Sequence, residues 1–484
     1  MDEALTTFLT DVSDHGGRAL LVGGAVRDHL LGLPMKDLDV EVFGIDPLQL
    51  KSICRRHGHV MLVGAAFAVL KVTLANGQTI DVSVPRREIQ EGCSHTSFSV
   101  QADPSMSFME AASRRDLTIN AISYDPLNGD IIDPFDGRSD LHQGILRHVG
   151  PRFREDPLRV LRIVQFSARF GFEIHEGTRV LCREMVGEGL LATLPRERIG
   201  EEIRKLLTRG RPDAIVQAMR FARDTGILRA LFPELADLSG IQQDPRFHSE
   251  GDAFEHTALA LSRFLDIAGR DALSDDQRWY LGLSVLCHDL GKATTTSIDP
   301  DGSIRSYGHD AAGTERATNL LGRITNHTRT LELVTALTSH HMRPMQLAAA
   351  DHVSDAAIRR LAKSIEPASI ADLACLVEAD SRASLRPDGS TADDGLRFLL
   401  DRANTLGVTH HPAPPVFQGR DLIRLARTNR IDAVFLRGGP HFSEPLEAVY
   451  NAQIEGMVHD TDSADLWILD WFLRKATNAG DGNS

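Results

Sequence analysis

The sequence predicts an α+β N-terminal region built on a mixed sheet, followed by all-α regions. Three observations carry this. Over the first ~145 residues, short β-rich runs alternate with helical segments. From Asp156 onward the apolar residues fall at i, i+3, i+4 spacing, with Leu, Arg, Ala and Glu dominant. The chain has 484 residues, and at roughly 150 residues per domain it should hold about three.

Taken in order, RALLVGG (18–24) is a short apolar strand ending in glycines, and AVRDHLLG is a helix. KDLDVEVFG alternates as a strand does, and PLQLKSICRRHG reads as a helix. AVLKVTLANGQTIDVSV holds two β-rich runs around a hairpin-like Asn76-Gly77 turn. DPLRVLRIVQFSARFGF then places a proline near a helix start. PRERIGEEIRKLLTRG and PDAIVQAMRFARDTGILRALF continue the helical run. PELADLSGIQQDPRFHSEGD has little periodicity and reads as a long connection. A second helical region runs from about Phe254 to Ala383, RPDGSTADD is a polar break, and the tail (about 391–476) is again mostly helical. There is no internal repeat.

Composition excludes several classes. Hydrophobic residues at 42% and charged residues at 25% are those of a globular chain, not a disordered or fibrous one. No apolar run approaches the ~20 residues that span a bilayer. The N-terminus carries early acids and no basic stretch, so no signal peptide is expected. Five scattered cysteines without CxxC spacing fit a reducing cytoplasm and exclude a disulfide scaffold or a cysteine-rich zinc site. The net charge is −14, yet residues 147–223 carry a net +6. A local basic stretch can hold a polyanion inside an acidic protein, because phosphate responds to the local field. The competing reading of that stretch is a solvated helical face.

Two stretches in the first region carry chemistry. Leu21-Val22-Gly23-Gly24-Ala25-Val26-Arg27-Asp28 puts two glycines between strand and helix, a turn that offers backbone N–H groups to phosphate. Arg27 adds a charged donor. Downstream, Asp37 and Asp39 stand at i and i+2 on one strand face, which is costly unless a cation lies between them. Hard divalent ions such as Mg²⁺ favour such oxygens. Asp81, in a later alternating strand, can face the pair.

This combination of GGAVRD and DLD resembles the nucleotidyltransferases of the polymerase-β superfamily, in particular the bacterial class II tRNA nucleotidyltransferase and poly(A) polymerase family. The resemblance continues in order through Arg114-Arg115-Asp116-Leu117-Thr118-Ile119-Asn120-Ala121, Asp133-Pro134-Phe135-Asp136-Gly137 and Glu155-Asp156-Pro157-Leu158-Arg159-Val160-Leu161-Arg162, covering about residues 18–235. It implies a catalytic head at 1–145 and a helical neck at 146–235 that selects the nucleotide and binds RNA. Asp37, Asp39 and Asp81 would be catalytic, the first two holding Mg²⁺. Gly23, Gly24, Arg27, Arg115, Asp116, Asn120, Asp156, Arg159 and Arg162 would bind the nucleotide. A carboxylate and a guanidinium have the inventory to read a base edge, although Asp156 and Arg159 taken alone are an i,i+3 helical ion pair. One position departs from the family: Ala68 stands where a glycine is usual. Glu91–Thr96 falls where the family has a flexible loop.

The second helical region holds a histidine set. Leu286-Cys287-His288-Asp289-Leu290-Gly291-Lys292 resembles the signature of the HD phosphohydrolase superfamily, with His256 upstream and Asp380 downstream. The resemblance implies an HD domain at 236–390 in which His256, His288, Asp289 and Asp380 hold a divalent metal ion. It offers His309 and His340 for a second metal or a substrate phosphate, and a phosphohydrolase reaction as a second activity. A helical tail at 391–484 follows.

The expected function is template-independent addition or repair of the 3′-terminal CCA of tRNA from CTP and ATP, in the cytoplasm, with no membrane or DNA partner. The alternatives are a poly(A) polymerase, an A-only or CC-only tRNA enzyme, an HD phosphohydrolase whose N-terminal half only binds nucleotides, and a non-enzymatic RNA-binding protein.

Overall fold

The computed structural model describes residues 2–35, 37–63, 69–90, 98–348, 353–385, 393–428 and 430–480. Ala68 and Glu91–Thr96, singled out above, lie outside the described residues. The chain divides into two compact units, Met1–Leu231 and Phe232–Ser484.

The first unit contains α1 (Glu3–Asp14), β1 (Arg18–Val22), α2 (Gly24–Leu30), β2 (Leu38–Phe43), α3 (Pro47–His57), β3 (Gly58–Val63), β4 (Val69–Leu74), β5 (Thr79–Ser83), β6 (Arg86–Gln90) and β7 (Phe98–Ala102). Then come α4 (Phe108–Ala112), β8 (Ser123–Tyr124), β9 (Ile131–Ile132) and α5 (Gly137–Gln143). A seven-stranded mixed sheet has the order β3-β4-β5-β2-β1-β8-β9. β2 pairs parallel with β5, and the other neighbours pair antiparallel. The Asn76-Gly77 turn joins β4 to β5 with Thr73 opposite Thr79, as the sequence predicts.

The two sheet faces have different fates because β2 alternates. Leu38, Val40 and Val42 are buried, on the side where α1 and α3 lay Phe8, Leu9, Leu50 and Ile53. On the opposite face Leu20, Val22 and Phe43 pack with Met106, Phe108 and Ala111 of α4 and its approach. The same face carries Asp39, the register partner of Val22, and Asp81.

The rest of the unit is helical: β10 (Ile145–Leu146), α6 (Leu158–Phe170), β11 (Glu173–Ile174), α7 (Glu176–Gly187), α8 (Arg196–Arg209), α9 (Ile215–Asp224) and α10 (Ile227–Leu231). α6 buries Val160, Leu161, Ile163, Val164 and Phe166 and packs on α8 and α9.

The second unit runs α11 (Pro233–Ala236), α12 (Ala253–Arg270), α13 (Asp275–Cys287), α14 (Lys292–Thr295), the small hairpin β12 (Ser297–Ile298) and β13 (Ile304–Arg305), and α15 (His309–Leu321). It continues with α16 (Thr328–His340), α17 (Arg343–Ala348), α18 (Asp355–Ser364), α19 (Ile370–Ala383), α20 (Asp393–Thr405), α21 (Gly419–Arg427), α22 (Ser443–Ile454) and α23 (Thr461–Gly480). α12 packs along α19 and α13, and α16 packs on α13 and α15. α20 buries Leu399 and Ala403 and packs on α17, α18 and α19. The segment beyond it has its own core, built on Phe417, Leu422, Leu425, Phe435, Val449 and Ile468. Among the described residues no helix is long and apolar enough to cross a membrane.

Candidate functional site

At the open end of the first unit's sheet, the register lines up Val22, Asp39, Asp81 and Lys71 across β1, β2, β5 and β4. Paired residues share a face, so Asp39 and Asp81 are immediate neighbours, with Asp37 at the mouth of β2. Asp39 reaches solvent, yet enough protein surrounds it that desolvation raises its pKa. Asp81, Asp37 and Glu41 push the same way, against Arg115. Asp81 Oδ1 is buried without a hydrogen-bond partner. An orphaned carboxylate oxygen beside two further carboxylates fits a hard divalent cation.

The glycine turn adjoins this row. Gly23 has φ +70°, and a Cβ there would stand 2.8 Å from Arg115 Nη1 and 3.8 Å from Asp39 Oδ2. The positive φ is what favours glycine here, since the flexible end of Arg115 could move aside. Arg115 Nη2 in turn lies 3.7 Å from Glu41 Oε2. Arg27 is turned inward and is only 3% exposed. It donates to Asp28 Oδ1 from Nε and Nη2 at 2.8 and 2.7 Å, and to Asn120 Oδ1 from Nη1 at 2.6 Å. Its guanidinium lies over the rings of Phe166 and Phe170 on α6, so it braces the turn from beneath.

A buried relay runs on from there. Asn120 Nδ2 donates to Asp116 Oδ1 at 2.9 Å, and Arg162 Nε donates to Asp116 Oδ2 at 2.7 Å. Burial alone would raise the Asp116 pKa, but Arg162, Asn120 and the Leu117 N–H hold it below the usual value. The short turn Thr118–Asn120 is locked to the start of α5: Thr118 Oγ1 donates to Asp140, and Asp133 accepts from the Gly137 and Arg138 N–H groups. At the head of α6, Asp156 and Arg159 are not paired through their side chains, contrary to the simple i,i+3 ion-pair reading. Asp156 accepts from Leu158 N–H and from Arg198 Nη2 at 2.8 Å. Arg159 donates to the carbonyls of Arg152 and Arg114, each at 2.6 Å. Both side chains are thus held in fixed directions by separate partners.

The second unit gathers a histidine–carboxylate cluster. His256 comes from α12, His288 and Asp289 from the end of α13, His309 from the first turn of α15, His341 from the end of α16 and Asp380 from α19. His256 Nε2 lies 2.9 Å from Asp380 Oδ1, and its Nδ1 lies 2.7 Å from Glu250 Oε1. Burial alone would lower the His256 pKa, but hydrogen bonds to Asp380 and Glu250 push it up to about 9. His288 Nδ1 faces the Val285 carbonyl at 2.7 Å and its Nε2 is buried without a hydrogen-bond partner, while Asp289 Oδ2 is held by Lys292 Nζ at 2.6 Å. Burial would raise the pKa of Asp289 and of Asp380, but the neighbouring His288 and His256, with Lys292 beside Asp289, hold both well below the usual range. The turn is compact because of Gly291, whose Cβ would stand 2.0 Å from the His309 carbonyl. Ring nitrogens and carboxylates from separate helices, with His288 Nε2 left unpartnered among them, fit a divalent transition-metal ion.

The structure thus brings together Asp37, Asp39, Asp81, Gly23, Gly24 and Arg115, and connects Arg27, Asn120, Asp116 and Arg162. His340 is a correction. Its Nδ1 faces Ser339 Oγ and the Ala336 carbonyl, and it lines a separate cavity with Arg329, His410 and His411. His341 takes the inward position and is 2% exposed. Sequence reasoning also missed Glu41, Arg198, Glu250 and Lys292. Glu41 had a signal, since it repeats the i, i+2 spacing of Asp37 and Asp39.

The paired carboxylates beside a glycine turn on a mixed sheet, joined to a helical neck, define a nucleotidyltransferase head. Residues 19–147 match the Poly A polymerase head domain, and residues 171–238 match the probable RNA and SrmB-binding site of polymerase A. The chain is 36% identical over 422 residues to a multifunctional CCA protein from Xanthomonas campestris pv. campestris, spanning 86% of this chain and 97% of that protein. It is similar in fold to the Bacillus stearothermophilus CCA-adding enzyme in complex with CTP, with a TM-score of 0.65 at 22% identity, covering 99% of this chain and 100% of that one. The Thermotoga maritima CCA-adding enzyme complexed with tRNA gives 0.58 at 18% identity, over 98% and 96%. The chain belongs to the multifunctional CCA protein family and is a nucleotidyltransferase.

Proposed function

We propose that this enzyme adds or repairs the 3′-terminal CCA of tRNA from CTP and ATP, without a template, in the cytoplasm. The observation that carries the reading is the Asp39–Asp81 register pair, with its orphaned Asp81 Oδ1, beside the Gly23 turn. Asp37 and Asp39 would hold Mg²⁺, which when bound neutralises charge on the triphosphate and favours ionisation of the attacking 3′-hydroxyl. Asp81 completes that set or takes the hydroxyl proton. Gly23 and Gly24 present backbone N–H groups to the triphosphate, with Arg115 beside them and Arg27 bracing the turn. Asp156 and Arg159 read the base edge, and Arg162 with Asp116 and Asn120 fixes their helix against the head. The basic stretch at 147–223 receives the tRNA end.

Residues 1–145 act as head, 146–235 as neck, 236–390 as an HD domain and 391–484 as tail. In the HD domain His256, His288, Asp289 and Asp380 hold a divalent ion that serves a phosphohydrolase reaction. The unpartnered His288 Nε2, beside Asp289 and Asp380, supports that metal position.

The test uses purified protein, Mg²⁺ and a tRNA transcript ending at the discriminator base, with CTP, ATP, both, or UTP and GTP, followed by sequencing of the 3′ ends. Addition stopping after C-C-A is expected. A long A tail would make the protein a poly(A) polymerase. C-C or A alone would mean a split pathway, and no addition would overturn the reading.

A further inference from the structure

The sheet register carries the row of Asp39 and Asp81 two strands further. Asp81 of β5 stands opposite Lys71 of β4, and Lys71 stands opposite Met61 of β3. Paired residues share a face, so Lys71 and Met61 lie on the face of the carboxylates. β4 alternates accordingly: Leu70, Val72 and Leu74 are buried, while Lys71 between them is exposed. Met61 is exposed as well, at 56%.

Two ordinary roles do not account for Lys71. A lysine often blunts the edge of a sheet, but here β3 is the edge strand and β4 lies inside it. A lysine opposite an aspartate often pairs with it. Asp81 Oδ1, however, is buried without a hydrogen-bond partner, and among the described residues no ion pair joins Lys71 to an acid. A cation is thus left beside the carboxylate row with no counter-charge of its own.

The row also has a direction. The Gly23 turn and Arg115 stand at its β1 end, where the triphosphate is held in the proposed function. In nucleotidyl transfer the 3′-oxygen of the RNA bonds to the α-phosphorus as the bond to pyrophosphate breaks on the far side, and the hydroxyl proton passes to a carboxylate or to water. The RNA end therefore enters opposite the triphosphate, from the side of Asp81. One strand spacing further out, about 4.8 Å, it lies over Lys71.

We propose that Lys71 binds the 3′-terminal phosphodiester of the RNA being extended, with Met61 beneath the last ribose. This rests on the reading that the first unit extends RNA. An ammonium meets a phosphate as a compact point charge and carries no sequence preference. The site requires that, because a new linkage becomes the last one after every addition. The two substrates then have separate cations: Arg115 beside the glycine turn for the nucleotide, and Lys71 for the RNA.

The test is a cycle between protein and RNA. The full chain and Lys71→Gln are given a tRNA ending at the discriminator base. The same RNA is also prepared with a neutral methylphosphonate at its last linkage or at an inner one. Initial rates of CTP incorporation give kcat/KM for each RNA. The parent is expected to lose about tenfold on the terminal methylphosphonate, the scale of one charge-assisted contact. Lys71→Gln should lose about tenfold on the native RNA and nothing further on the terminal methylphosphonate, with the KM for CTP unchanged. Lys71→Arg keeps the charge and should keep the parent's response, and the inner methylphosphonate should affect all three proteins alike. Losses that simply add, or a rise in the KM for CTP alone, would overturn the assignment of Lys71. A parent indifferent to the terminal methylphosphonate would overturn it without any variant. A parent that extends none of the RNAs would overturn the RNA-extension reading, and this assignment with it.

Discussion

Asp39 and Asp81 are direct register partners on the parallel pair β2–β5. Two carboxylates placed side by side on one face repel; desolvation raises the Asp39 pKa, Arg115 opposes it, and Asp81 adds to the rise. A sheet built for stability would not place them there. The arrangement makes sense only for a protein that binds a cation at this spot.

Activity and stability should accordingly move in opposite directions. Asp39→Asn and Asp81→Asn are each expected to lower kcat for CCA addition on the order of 10³-fold, the scale seen when a group stabilising transition-state charge is removed. The same changes relieve repulsion, so the melting temperature measured without metal should stay equal or rise. A fall in both would mean that the carboxylates are structural.

Much of this was legible in the sequence, and the exceptions follow a physical pattern. The i, i+2 rule placed Asp37 and Asp39 on one face, and the Asn76-Gly77 turn gave the β4–β5 hairpin. Parallel pairing of β2 with β5 was not legible, because it depends on strands far apart in sequence. His340 was chosen over His341, although helical phase favours the latter. Val334, Leu337, Thr338 and His341 share the buried stripe of α16 and its cap, whereas His340 continues the phase of Leu333 and Ala336. Arg198 gave no signal, since its role depends on α8 folding back onto the start of α6.

The relay through Asp116 should be visible as a pH-dependent stability. Its folded pKa lies below the usual value, so its stabilising contribution is fully present above about pH 4 and fades as pH falls through the folded value. Asp116→Asn removes the charge that Arg162 binds and should cost about 2 kcal/mol at pH 7. The gap from the parent chain, followed by chemical denaturation, should narrow below about pH 4. A gap constant with pH would place the loss in shape and not in charge.

Nucleotide choice should depend on residues that aim the readers as well as on the readers. Arg159→Ala is expected to reduce discrimination of CTP and ATP against UTP and GTP by about tenfold to a hundredfold, the worth of one good base-edge contact. Arg198→Ala frees Asp156 from its 2.8 Å partner and should relax the same discrimination with a smaller change in kcat. Competition assays with sequenced products separate these effects. Unchanged fidelity in both would remove α6 from base selection.

The chain divides into two compact units, so calorimetry of the full chain should resolve two transitions, and only one should respond to a transition metal. In the second unit Asp289 and Asp380 are held among histidines, and His288 Nε2 is left without a hydrogen-bond partner. A cation there binds the folded state and has no preformed site in the unfolded chain. At a free Mn²⁺ concentration of about 100 times the dissociation constant the stabilisation is about 2.7 kcal/mol, which for a unit of this size raises the transition by roughly 5–10 °C. Chelator should reverse the shift. His288→Gln should abolish it, because Nε2 points into the cluster without another partner. His340→Gln should retain it in full, because that ring bonds to Ser339 and Ala336 on the outer side of α16. A shift that survived His288→Gln and vanished in His340→Gln would move the metal to the cavity of Arg329, His410 and His411.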